Sequence, residues 1–234
     1  MQERGTLFLI PSPLGDRAPV DTLPDAARRA IGRLDLLLVE SERSARRHLA
    51  RLGAARADLP LGELSEHSRT ADLEPYLEEL ERGKSVGVMS DAGSPGIADP
   101  GAELARRCHE RGIRVVALPG PSSVTLAVMA SGLGGQRFAF SGYLPVEREA
   151  RIRRIRELEA RARSRRETQV FMETPYRNLK LFADIVETCR PDTALCVACD
   201  LTTEDEYVRT WPVSRWRAET PPIHKRPALF LLGA

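Results

Sequence analysis

The feature that most limits how this chain can fold is an alternation of element types. Short β-rich runs recur at Thr6–Ile10, Leu34–Val39, Ser85–Met89, Arg114–Leu118, Phe138–Ser141, Gln169–Met172, Ala194–Ala198 and Ala228–Leu232. Segments with helical periodicity separate several of them. In Leu73–Leu80 the apolar residues 73, 77 and 80 share one face, and Glu78, Glu79 and Glu81 lie off it; Ala102–His109 and Ser122–Met129 read the same way. Gly83 and Gly112 stand where helices are expected to end. Alternating strands and helices predict an α/β fold with largely parallel pairing. Pro119-Gly120-Pro121 breaks the chain after Arg114–Leu118, which predicts two domains, residues 1–118 and 119–234.

Composition narrows the class. With 234 residues, 42% hydrophobic and 29% charged, the chain has the makeup of an ordinary soluble globular protein with ample core. No apolar run approaches the roughly 18–20 residues that span a bilayer. Met1-Gln2-Glu3-Arg4-Gly5 leads directly into a strand-like run, without the charged and apolar regions of a secretory signal, so a cytoplasmic location is expected. A net charge of +2 neither demands nor forbids a nucleic-acid partner.

Four cysteines do not make a disulfide framework at this length. Cys196 and Cys199 have metal-like spacing, but no second pair or nearby His completes a zinc set, so no metal is expected. In a buried strand the two thiols fall on opposite faces as small core residues.

Three loops carry the chemical signal. The most informative is Ser90-Asp91-Ala92-Gly93-Ser94-Pro95-Gly96-Ile97-Ala98-Asp99-Pro100-Gly101, which follows an apolar strand and precedes a helix. Its glycines and prolines predict a compact loop with unusual backbone angles, Gly93 and Gly96 at positive φ among them, and exposed N–H groups. In α/β sheets ligands sit outside the carboxyl ends of strands, where this loop lies. Pro119-Gly120-Pro121-Ser122-Ser123 occupies the same kind of position. Ser122 or Ser123 can cap the next helix, and the same geometry presents a hydroxyl and helix N–H groups to a ligand. Ile10-Pro11-Ser12-Pro13-Leu14-Gly15-Asp16 is the third. None is a GxxxxGK[ST] phosphate loop, and the dinucleotide fingerprint is missing after the first strand, which argues against a nucleoside triphosphate or NAD.

In order and spacing, these three loops resemble those of the tetrapyrrole methylase superfamily of S-adenosylmethionine (SAM) dependent methyltransferases. Within it the chain is most similar to the bacterial 16S rRNA cytidine ribose 2′-O-methyltransferases. The resemblance rests on Pro11–Asp16, Ser90–Gly101, Leu118–Ser122, Gly142-Tyr143-Leu144-Pro145 and Glu173-Thr174-Pro175-Tyr176-Arg177. It implies a mostly parallel N-terminal sheet, a mixed C-terminal sheet, a cofactor crevice between the two domains and a homodimer. By resemblance the cofactor contacts are Leu14, Ser94, Ile97, Ser122, Ser123, Met172, Ala198 and Pro227, and the catalytic candidates are Asp16, Glu40, Arg43 and His67.

The chain departs from that family at Glu40-Ser41-Glu42-Arg43, His67-Ser68-Arg69, Leu201-Thr202-Thr203 and Arg226-Pro227. These changes fall on the expected substrate side and mark a divergent paralogue. Three readings therefore stand: a methyltransferase acting on an rRNA ribose hydroxyl, one acting on a tetrapyrrole or other small molecule, and a non-catalytic SAM-binding module. Residues 148–166 hold nine Arg against three Glu, a net of six positive charges, on an amphipathic helix with Ile152, Ile155 and Leu158 as its stripe. That face is either a set of phosphate contacts or simply solvated.

Overall fold

A computed structural model describes residues 4–15, 22–53, 56, 58–65 and 68–234. The chain divides into two compact units, Met1–Ser122 and Ser123–Ala234.

The first unit contains β1 (Thr6–Ile10), α1 (Asp25–Ile31), β2 (Leu36–Val39), α2 (Glu42–Arg51), β3 (Leu61–Glu63), α3 (Thr70–Glu81), β4 (Val86–Met89), α4 (Ala102–Glu110) and β5 (Arg114–Ala117). Its five strands are all parallel, in the order β3-β2-β4-β1-β5. Parallel strands are joined by crossover helices that cover both faces, so the central strands read as unbroken apolar runs. All four residues of Val86–Met89 are buried accordingly. On one face Ile10, Leu37 and Met89 pack with Ala27 and Ile31 of α1 and Ala45 and Leu49 of α2. On the other, Leu7, Leu38 and Val88 pack with Leu73 and Leu77 of α3 and Leu104 of α4.

The second unit contains α5 (Ser123–Ser131), β6 (Phe138–Tyr143), α6 (Arg148–Arg165), β7 (Thr168–Glu173), α7 (Asn178–Thr188), β8 (Ala194–Cys199), β9 (Tyr207–Pro212), α8 (Val213–Trp216) and β10 (Ala228–Gly233). The sheet order is β6-β7-β10-β8-β9, with β6 and β7 parallel and every other pairing antiparallel. Ile155 and Leu158 of α6 and Phe182 and Ile185 of α7 pack on Phe171, Val197 and Phe230. On the opposite face α5 packs against β10, β8, β9 and β7.

Mixed pairing in one sheet and parallel pairing in the other match the expected α/β class. Gly83 and Gly112 do close helices, at φ 91° and 63°. Cys196 and Cys199 are both buried on β8, and burial pushes each thiol up to about 11. No group of His, Cys, Asp and Glu among the described residues could hold a metal. No helix is long and apolar enough to cross a membrane.

Two strands lie outside the runs read from sequence, β3 and β9. Both are sheet edges with partly exposed residues. An edge strand needs no continuous apolar run, and neither shows one: β3 is three residues long and β9 carries Arg209 and Thr210 at its centre.

Candidate active site

The site starts from strand direction. In the first unit every strand points its carboxyl end the same way, so the loops after β1, β4 and β5 emerge on one side. β1 and β4 are neighbours, but α1 and α4 lie on opposite faces of the sheet. Their loops therefore leave in opposite directions, the arrangement that opens a ligand crevice in α/β sheets.

Backbone bonds tie the three loops together. Ser12 and Gly93 exchange N–H to C=O bonds at 2.8 and 3.1 Å. The fully buried Ser12 hydroxyl donates to the Ser90 carbonyl at 2.8 Å. The Ser94 hydroxyl donates to the Pro121 carbonyl at 3.2 Å, joining the second loop to the third. Gly120 lies so close to the first loop that a Cβ there would stand 2.2 Å from Pro11 Cγ.

The local backbone explains the glycines. Gly93 and Gly96 sit at φ 85° and 80°, as the sequence predicted, where a Cβ is strained. Ala98 adopts φ 58°, which costs an L-residue on the order of 1 kcal/mol. Such strain persists only where the surroundings enforce it, and it clusters at ligand sites. Here the Gly96 N–H donates to the Pro100 carbonyl at 3.0 Å and closes the turn.

Of the expected cofactor contacts, Leu14, Ser94, Ile97 and Ser122 all belong to these three loops. Leu14 is half-buried, and Ile97 is 46% exposed, a large apolar side chain offered to solvent. Ser123 opens α5. Met172 and Ala198 lie one strand either side of Leu229, on the sheet face that α5 covers; Met172 is half-buried and Ala198 fully buried. Pro227 is exposed, and its carbonyl accepts from the Asp200 N–H at 3.0 Å.

Among the catalytic candidates, Asp16 and His67 lie outside the described residues. Glu40 is half-buried at the carboxyl end of β2, and Arg43 is exposed in the first turn of α2. Glu40 precedes the helix, so the two do not share a helical face. Ser41 separates them as the N-cap, its hydroxyl accepting from the Ser44 N–H at 3.3 Å. Glu42 instead pairs with Arg46 at 2.8 Å.

Two residues that the sequence pattern does not mark support the loops from below. His48 of α2 is 1% exposed, and its Nε2–H donates to the Asp91 carbonyl at 3.0 Å. Its Nδ1 is buried without a hydrogen bond among the described residues. One turn on, Arg51 donates to the Gly15 carbonyl at 3.4 Å. The available signal was a polar residue on the inward stripe of α2, between Ala45 and Leu49.

In the second unit one replaced position, Arg226, and one family-like position, Arg177, have partners of their own. Arg226 pairs with Asp200 at 2.7 Å and donates to the Pro222 carbonyl. Arg177 closes onto Glu173 at 2.5 Å within its own turn.

Residues 6–216 match the family of Tetrapyrrole (Corrin/Porphyrin) Methylases. A Ribosomal RNA small subunit methyltransferase I of Leptospira biflexa serovar Patoc is 34% identical over 238 residues, spanning 99% of this chain and 92% of the relative. The protein of that name from Escherichia coli O157:H7 is 33% identical over 90% of this chain and 70% of its own. The crystal structure of the methyltransferase CobJ aligns with TM-score 0.66 at 18% identity, covering 99% and 94% of the two chains. A uroporphyrin-III C-methyltransferase from Thermus thermophilus, complexed with S-adenosyl homocysteine, aligns with TM-score 0.56 at 17% identity, covering 98% and 97%. Loops bonded together at the carboxyl ends of a parallel sheet, on a chain matched over nearly its whole length, lead to one assignment: the chain belongs to the tetrapyrrole methylase family of SAM-dependent methyltransferases.

Proposed function

We propose that this methyltransferase modifies RNA of the small ribosomal subunit at a ribose 2′-hydroxyl. Similarity to rRNA small subunit methyltransferases over 99% of the chain supports the acceptor. One structural observation carries the cofactor side: the loops after β1, β4 and β5 are hydrogen-bonded into a continuous wall.

That wall fits SAM. An adenosyl amino acid calls for backbone polar groups and apolar contact rather than the N–H nest of a phosphate loop. Leu14, Ser94, Ile97 and Ser122 would hold it there, with little side-chain bulk at Gly93 and Gly96 to block approach. Ser123, Met172, Ala198 and Pro227 stand as further contacts by family resemblance. When bound, SAM supplies an electrophilic methyl group on a sulfonium.

The chain's part in the chemistry is mainly to position. Holding acceptor and donor in line can supply several kcal/mol, on the order of 7–11 for well-oriented groups. A ribose hydroxyl is a weak nucleophile, so a carboxylate or imidazole that takes its proton speeds the reaction. Glu40, half-buried beside the loop-bearing strands, is the proposed proton acceptor among the described residues. Asp16 and His67 remain candidates for the same role, and Arg43 is proposed to orient the acceptor. A homodimer and a cytoplasmic location belong to this reading on family grounds.

The test is transfer of labelled methyl from SAM into small ribosomal subunits from cells lacking the gene, followed by nuclease mapping of the labelled nucleotide. Alkali-resistant label at one nucleotide supports the reading. SAM binding with label in no RNA defeats the RNA acceptor and redirects the search to small molecules.

A further inference from the structure

The arginine-rich stretch is not uniformly available to a partner. Arg148 pairs with Asp184 at 3.1 Å and Glu187 at 2.9 Å. Arg151 is buried, donates twice to Asp184 Oδ2 at 2.6 and 2.8 Å, and also reaches the Val146 carbonyl at 2.6 Å. Arg154 pairs with Glu157 and Arg163 with Asp192, at 2.9 and 2.8 Å. Arg148 and Arg151 thus brace α6 against α7, and Arg163 ties it to the turn before β8.

Three arginines near the end of α6 differ. Arg161, Arg165 and the left-handed cap Arg166 are exposed, and among the described residues none makes an ion pair. At 100° per residue, Arg154, Arg161 and Arg165 lie within about 40° of one another around the helix. Arg154 marks where that flank points, because its guanidinium reaches the Ser141 hydroxyl on β6 at 3.3 Å. β6 is an edge strand, so nothing in the sheet lies beyond it. Exposed Arg137 precedes β6, and its carbonyl accepts from the Thr168 N–H at 2.9 Å. Four exposed guanidiniums, Arg137 included, that make no ion pair among the described residues therefore gather where β6 and β7 begin. The nearby carboxylate, Glu167, is taken by the Gln169 amide at 2.9 Å.

The opposite edge of the sheet has cations too, but they are engaged. Arg209 and Arg215 lie over the Trp211 ring, 5.3 and 3.8 Å from its centroid.

We infer that Arg137, Arg161, Arg165 and Arg166 form a phosphate-gripping surface for the RNA backbone, a proposal that rests on the RNA reading above. Unpaired cations grouped within one or two turns repel each other and gain most from a dense polyanion, whose condensed counterions they displace. A second copy of this chain would bring like charge against like. Guanidiniums also match phosphate oxygens in pairs. The surface lies at the end of β7 away from Met172, so it holds RNA outside the cofactor side of the unit.

The experiment compares wild type with a variant carrying Arg137→Gln, Arg161→Gln, Arg165→Gln and Arg166→Gly. The control carries Arg153→Gln and Arg156→Gln, on the other side of α6. Binding of small-subunit rRNA fragments is titrated across salt concentrations, with SAM calorimetry and sedimentation alongside. The four-site variant should bind RNA about ten- to a hundredfold more weakly, with a log–log salt slope shallower by roughly 2–3. SAM affinity and oligomeric state should not change, and the control should match wild type. If wild type binds RNA and the four-site variant binds with equal affinity and slope, this surface is wrong and the RNA reading stands. If wild type binds SAM but no RNA, both fall. A change of oligomeric state in the variant assigns the surface to a second copy of the chain instead.

Discussion

The loops of the first unit and the helix braces of the second use polar groups differently. In the first unit the loops are held by main-chain bonds and short hydroxyls, as between Ser12 and Gly93 and from Ser94 to Pro121. In the second unit the defining contacts are long side chains meeting across elements, Arg151 with Asp184 and Arg226 with Asp200. Backbone bonds leave a wall of small residues that a ligand can approach. Side-chain pairs fill space and brace helices. The first arrangement suits the proposed cofactor site, and the second gives a braced platform with surplus charge at its rim.

The largest expected effect is on the brace. Asp184→Ala leaves the Arg151 guanidinium buried without its carboxylate, and breaking such a pair costs roughly 3–5 kcal/mol. Urea unfolding should show a correspondingly lower midpoint. An unchanged midpoint would mean that the arginine stretch is merely solvated, and the contrast between the units would disappear.

Next comes the wall itself. Gly120→Ala places a Cβ 2.2 Å from a proline ring that cannot swing aside. Forced overpacking costs about 1–3 kcal/mol, and here it pushes the first and third loops apart. Calorimetry should show SAM binding at least tenfold weaker. Wild-type affinity in a folded Gly120→Ala protein would move the cofactor away from these loops.

A smaller effect is expected at His48. His48→Leu leaves the Asp91 carbonyl without its donor, a loss of about 1–2 kcal/mol. SAM affinity should fall several-fold, and His48→Gln, which keeps an N–H donor at similar reach, should recover part of it. Equal losses in both variants would mean that His48 only fills space and does not position the loop.

The fold was largely legible because its signals are local. Val86–Met89 is apolar at every position since both faces of a central parallel strand are covered, and that can be read without a partner. The edge strands β3 and β9 were not legible, because β3 is only three residues long and Arg209 and Thr210 interrupt β9. In the site, the twelve-residue loop from Ser90 to Gly101 declared itself by its glycines and prolines, and the positive φ at Gly93 and Gly96 agrees. His48 did not, since its partner lies 43 residues away and only packing brings them together.

The sequence by itself determined the alternation of elements, the three loops and their glycine geometry, since each depends on residues near one another in the chain. Only the tertiary structure decided which arginines are free. Arg151 and Arg161 look alike in sequence, both arginines on one amphipathic helix. Arg151 meets Asp184, 33 residues on, and is buried; Arg161 meets no carboxylate among the described residues and stays exposed. Charge is a property of the residue, but its neutralisation depends on whatever folding brings within about 4 Å.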